Sequence, residues 1–141
     1  MVEIRVLVTG GRDYADRETI RRTLRYLADC YIHGFAPEEI LLVHGDCKRY
    51  REDRTFDPDR SADQLAAQEA EKLGWSVKPY PADWKRYGNA AGPIRNQEMV
   101  KDGAHYCLVF RGGDGTRHCR RLALNAHIPV IEIKEEEARR G

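Results

Sequence analysis

Short apolar runs alternate with segments of helical spacing along the whole chain, the order that produces a parallel β-sheet covered by helices on both faces. The first run is Ile4-Arg5-Val6-Leu7-Val8-Thr9, ended by Gly10-Gly11. Ile20, Leu24, Leu27 and Ala28 then place one apolar face on a helix from about Asp16 to Ile32. A second strand, Ile40 to His44, stops at Gly45. A second helix from near Ser61 through Leu65, Ala66 and Leu73 is closed by Gly74 in the position of a C-cap glycine. Ser76 to Tyr80 reads as a third strand, Ile94 to Asp102 as a third helix, and Tyr106 to Phe110 as a fourth strand. A fourth helix over Arg117 to Ala126 leads to a fifth strand, Pro129 to Ile133, and the charged stretch Lys134 to Gly141 reads as a short helix or a frayed end.

Because crossovers between parallel strands are right-handed, this succession predicts the strand order 3-2-1-4-5. The expected architecture is α/β: a Rossmann-like three-layer sandwich with a parallel five-stranded sheet, formed by residues 1–141 as a single domain. A length of 141 residues suits one core and is short for two. One stretch breaks the rhythm. In Asp46 to Arg60, Lys48, Arg49, Arg51, Arg54 and Arg60 are interleaved with Asp46, Glu52, Asp53, Asp57 and Asp59, which reads as an inserted surface loop, mobile without ligand.

Charge narrows the function classes. The 24 Lys and Arg residues balance 23 Asp and Glu, so no global field draws the protein to nucleic acid or an anionic membrane, and anion binding must be local. No apolar stretch approaches a membrane span, and Met1 to Val6 leads into a strand rather than a signal peptide. Cys30, Cys47, Cys107 and Cys119 form no C-x-x-C pair, which points to reduced thiols in a cytoplasmic protein. No metal or cofactor is expected, since the spacing of His44, Asp46 and Cys47 matches no zinc pattern.

Ligands of open α/β sheets bind outside the carboxyl ends of the strands. Turn and polar residues gather there after four strands: Gly10-Gly11-Arg12-Asp13, His44-Gly45-Asp46, Pro81-Ala82-Asp83-Trp84, and Gly112-Gly113-Asp114-Gly115-Thr116. The last group separates a strand from a helix, so its amides and the Thr116 hydroxyl suit a phosphate, or else form a tight turn with Thr116 as N-cap. Arg95 and Asn96, expected to open a helix, are either a phosphate fork and its neighbour or solvated surface residues. Asp83 and Trp84 suit a ribose and a base, the alternative being a tryptophan covering the core edge. Asp63 is a carboxylate near a helix start, and His44 a hydrogen-bonded histidine at a strand end.

The series Val8-Thr9-Gly10-Gly11-Arg12-Asp13-Tyr14, His44-Gly45, Ser61-Ala62-Asp63, Pro81-Ala82-Asp83-Trp84, Ala91-Gly92-Pro93-x-Arg95-Asn96-x-x-Met99 and Gly112-Gly113-x-Gly115-Thr116 resembles the YspA-like, YpsA-related branch of the SLOG superfamily. The resemblance implies a Rossmann-like fold shared with Lonely guy phosphoribohydrolases and DNA-processing protein A. It assigns Gly10, Gly11 and Arg12 to a first ligand loop, Arg95 and Asn96 to a helix-start site, and Gly112, Gly113, Gly115 and Thr116 to a phosphate loop. Two departures stand out. The link before Ser61 is enlarged and Ser61 replaces a glycine, and Cys119 stands where Lonely guy enzymes carry a glutamate that takes part in cleavage.

The leading expectation is therefore binding or sensing of a nucleotide-derived small molecule, ADP-ribose or NAD derivatives among them. The alternative is an N-glycosidic hydrolase of nucleotides in which Arg95 steadies phosphate and Glu98 or Asp83 supplies the missing carboxylate. Nucleic-acid binding is a distant third. The resemblance leaves a homodimer through helices beside the site open.

Overall fold

The structure, a computed structural model, describes residues 1–134; the tail expected to form a helix or frayed end lies, beyond Lys134, outside the described residues. Five parallel strands form the sheet: β1 (Ile4–Thr9), β2 (Ile40–His44), β3 (Ser76–Pro79), β4 (Tyr106–Val109) and β5 (Val130–Glu132). Their order is β3-β2-β1-β4-β5, as the succession of elements predicts. Ile4 pairs with Ile40 on one side of β1 and Val6 with Tyr106 on the other, so the chain reverses its direction of growth between β1 and β4. That switch point is where open α/β sheets leave a crevice.

Alternate residues of β1 face opposite layers. Ile4, Val6 and Val8 pack with Ile20, Leu24 and Leu27 of α1 (Arg17–Cys30) and with Leu65, Ala66 and Ala70 of α2 (Ala62–Lys72). Leu7 points the other way, into a core shared with Met99 of α4 (Ala91–Lys101) and Cys119 and Ala123 of α5 (Asp114–Asn125). A one-turn helix, α3 (Trp84–Tyr87), and a 3-10 turn at Gly88–Ala90 precede α4.

Local chemistry sets the helix ends. Asp16 caps α1 by accepting the Thr19 amide at 3.1 Å. α2 ends in a Schellman turn: Gly74 takes a φ of +83°, and the Trp75 amide reaches back to the Ala70 carbonyl at 3.0 Å. At the other end of α2, Ser61 caps Gln64 while holding a φ of +84°, in the left-handed region that favours glycine, the residue that the SLOG resemblance leads one to expect there.

Two helix starts differ from the spacing-based expectation. α4 begins at Ala91 rather than Ile94, because Gly92 and Pro93 occupy its first turn, where proline gives up no intrahelical bond. α5 begins at Asp114 rather than Arg117, with Gly113 as N-cap, so Thr116 lies inside the helix instead of capping it. The 46–60 insertion folds back on itself: Tyr50 and Phe56 form an antiparallel bridge, and the Asp57 amide bonds the Arg49 carbonyl at 2.9 Å. Among the described residues no helix is long and apolar enough to cross a membrane.

Candidate functional site

The carboxyl end of β1 is pressed between the starts of two helices. A Cβ on Gly10 would sit 2.5 Å from the Ala62 Cβ and 3.0 Å from the Phe110 Cβ. The Gly11 carbonyl accepts the Ala62 amide at 3.0 Å, and its own amide bonds the Arg111 carbonyl at 2.8 Å. A Cβ on Gly112 would run into the Thr116 hydroxyl and the Gly11 amide. These three glycines therefore serve close packing of backbones, whereas Gly113 and Gly115 have open space around them.

That open space lies at the amino terminus of α5. The first intrahelical bond of the stretch is donated by Arg117 to the Gly113 carbonyl at 3.1 Å, and among the described residues no side chain caps the end. The amides of Asp114, Gly115 and Thr116 precede that bond, so they have no carbonyl within the helix, and the helix dipole adds about half a positive charge there. Exposed Arg117 and Arg121 continue the positive field along the same helix, with Arg117 paired to the Asp114 carboxylate.

Below this rim is a buried polar floor. Arg95, expected at a helix start and free to fork onto a phosphate, is instead the fifth residue of α4 and only 8% exposed. Its Nη1 donates to the Gly45 carbonyl, Nε donates to Asn96 Oδ1 at 2.9 Å, and Nη2 lies 3.9 Å from the Cys47 Sγ. The guanidinium thus ties the β2 loop to α4. Asn96 carries the tie onward, donating Nδ2 to the Gly115 carbonyl at 3.3 Å.

Asp63, the second residue of α2, is 2% exposed. Its Oδ2 accepts the Cys47 amide at 3.1 Å, while Oδ1 is buried and, among the described residues, has no hydrogen-bond partner. Burial pushes this carboxyl upward, opposed by His44, the Cys47 amide and Arg95. Burial also holds the His44 imidazole below its usual value. Its Nδ1 accepts the Asp46 amide at 3.0 Å, so the neutral ring carries its proton on Nε2. Burial, then the charge of Asp63, pushes the Cys47 thiol up to about 11, which keeps it protonated and removes it as a nucleophile at neutral pH.

These elements enclose a cleft of about 1070 Å³, at the upper end of small-molecule sites. Of the residues singled out from sequence, the β1 loop contributes Gly10, Gly11 and Arg12 and the floor contributes Gly45, Asp63, Arg95 and Asn96. The start of α5 contributes Gly113, Gly115 and Thr116, and Trp84 stands at the mouth, 57% exposed. Asp13, His44, Asp83 and Gly112 do not line it. Asp13 is ion-paired to Arg49 at 3.2 Å, His44 is buried behind the Gly45 loop, Asp83 caps α3 through the Arg86 amide, and Gly112 is packed against Gly11 and Thr116. Of the carboxylates named for glycosidic cleavage, Asp83 is the cap of α3 and Glu98 is an exposed residue of α4 that does not line the cleft. Cys119 is fully buried beneath the cleft, its thiol raised to about 11 by burial.

Sequence reasoning missed Cys47, Lys48 and Tyr50, which the insertion brings into the cleft, and Arg117, His118 and Arg121 from the face of α5. The α5 residues had a signal, since 117 and 121 are one helical turn apart and follow a candidate phosphate loop. The insertion's fold-back had none, because it depends on bonds such as the Ser61 hydroxyl to the Cys47 carbonyl at 2.6 Å. Its basic side chains are matched locally: Arg51 lies 3.9 Å from Asp57, Arg60 3.9 Å from the same residue, and Lys48 3.5 Å from Asp46.

No family model matches the chain. It is 39% identical over 139 residues to the Gene 61 protein of Mycobacterium phage D29, a match that covers 94% of this chain and 98% of that protein. Among solved structures it is similar to the universal stress protein from Archaeoglobus fulgidus in complex with dAMP, at 17% identity and a TM-score of 0.49, covering 95% of this chain and 100% of that one.

Proposed function

The chain belongs to the family of the Gene 61 protein of Mycobacterium phage D29, and on that premise we propose that it binds a nucleotide-derived small molecule, holding its phosphate on the amino terminus of α5. The observation that carries the reading is the uncapped start of α5 opening into the cleft beside Gly113 and Gly115, with Arg12 and Arg121 facing the same space. The six motif segments similar to YspA-like SLOG proteins support it. Trp84 at the mouth offers an indole face to a base. The two carboxylates that the cleavage reading names, Asp83 and Glu98, do not line the cleft, which favours binding over that form of cleavage.

Replacing Asp114 tests the phosphate seat without removing the helix. Proline suits the first helical position, and Gly113 before it lies outside the helical region that a residue preceding proline avoids. Asp114→Pro removes one amide and one exposed carboxylate; Asp114→Ala removes only the carboxylate. We expect Asp114→Ala to bind inorganic phosphate or adenosine 5′-monophosphate as well as wild type or better. Asp114→Pro should bind about tenfold more weakly, the worth of a hydrogen bond to a charged group. Equal affinities for the two variants would sink the phosphate seat. Native mass spectrometry of freshly purified protein gives the companion readout, the mass of whatever ligand is released.

A further inference from the structure

We propose that the Asp63 carboxylate is the acceptor for sugar hydroxyls of the bound ligand, so that the cleft takes a ribose phosphate or a similar phosphorylated polyol. The inference rests on the phosphate seat at α5 and adds what is attached to that phosphate. Its starting point is an imbalance in the floor: Asp63 lines the cleft, is buried, and among the described residues its Oδ1 has no hydrogen-bond partner. Buried carboxylate oxygens are rarely left this way, and such a group marks a missing partner.

The hydrogen bonds that neighbouring donors make among the described residues do not reach Oδ1. Arg95 points its nitrogens at the Gly45 carbonyl, Asn96 Oδ1 and the Cys47 sulfur, and the Cys47 amide goes to Oδ2 of the same carboxylate. Ser61 Oγ and Gln64 Nε2 both donate to the Cys47 carbonyl, at 2.6 and 3.1 Å. The Cys47 amide thus holds the carboxylate through Oδ2, and Oδ1 is the atom that a donor arriving with the ligand would satisfy.

Placement ties this acceptor to the phosphate seat. Asp63 follows Ala62, whose amide bonds the Gly11 carbonyl, and the Gly11 amide abuts Gly112, which packs on Thr116 of α5. The starts of α2 and α5 therefore flank one residue, on the two sides of β1, and one ligand can span them. Sign selects the chemistry. A second anionic group is repelled from Asp63, and a ligand ammonium would face Arg12, Lys48 and Arg121 across the same cleft. Neutral hydroxyls satisfy the acceptor without either cost.

The probes are inorganic phosphate, ribose 5-phosphate and 2-deoxyribose 5-phosphate, titrated calorimetrically into wild type, Asp63→Ala and Asp63→Asn. Wild type should bind ribose 5-phosphate at least tenfold tighter than phosphate, with the deoxy sugar between them. Asp63→Ala should erase that excess and bind phosphate no more weakly than wild type does. Asp63→Asn keeps an acceptor and should retain part of the excess; it carries the comparison if the alanine variant fails to fold. Two results overturn the proposal even if phosphate binds: no tighter binding of ribose 5-phosphate by wild type, or an equal loss for phosphate and sugar phosphate in Asp63→Ala. If phosphate does not bind wild type at all, or Asp114→Pro leaves its affinity unchanged, the phosphate seat fails first and this inference with it.

Discussion

Replacing Arg95 with alanine should unfold the protein more readily before it reveals anything about ligand. Two hydrogen bonds from a charged donor are lost, to the Gly45 carbonyl and to Asn96 Oδ1, and both acceptors are left in a buried floor. Each such loss costs about 1.5–3 kcal/mol, and releasing a buried cation from its desolvation penalty returns part of it. A net loss of about 2–4 kcal/mol is expected. For a 141-residue chain, with an unfolding entropy of about 2.1 cal/mol/K per residue, that lowers Tm by roughly 7–14 °C. Arg95→Lys should recover a minority of it, since one ammonium cannot reach both acceptors in the geometry of the planar fork. Differential scanning calorimetry, repeated as urea titrations with unchanged m, measures the effect. A Tm within about 2 °C of wild type, measured well outside ligand saturation, would refute the view of Arg95 as the tie between the β2 loop and α4.

Ser61 makes a sharper test of backbone strain. Ser61→Gly relieves a φ of +84° worth about 1–3 kcal/mol and gives up a few tenths in capping, while the Cys47 carbonyl keeps its bond from Gln64; it should be neutral or stabilising. Ser61→Ala keeps the strain and loses the cap, costing about 1–2 kcal/mol, so an alanine variant more stable than the glycine variant would count against the argument. His44 predicts a pH dependence: its folded pKa is below the ordinary 6.5, so the stability it contributes is present above that value and lost as pH falls below it. Asp63, raised above 3.8, acts with the opposite sign, its contribution being lost as pH rises through its folded value. His44→Asn keeps an acceptor for the Asp46 amide but does not titrate; the urea midpoint of the variant should therefore fall less between pH 7.5 and pH 5 than that of wild type, and an unchanged slope would remove His44 as the cause.

The sheet was legible from sequence because strand order follows from local facts: apolar runs such as Ile4–Thr9 and Tyr106–Val109, glycines at their ends, and helices between them whose crossovers have one allowed hand. The same locality made the convergence of the Gly10, Gly45 and Gly113 loops predictable. What sequence could not decide is which of their residues face the ligand. Arg95 reads as a phosphate fork or a solvated surface residue because its charge suggests solvent; only the approach of the Gly45 carbonyl and Asn96 draws it inside and engages its guanidinium. Asp63 reads as an ordinary helix-start carboxylate, and becomes the floor's unsatisfied acceptor only once the Cys47 amide and the packed start of α2 take it out of water. Local patterns determine backbone course because they act over a few residues; exposure, hydrogen-bond satisfaction and pKa depend on atoms brought from far along the chain, and those only the tertiary structure assembles.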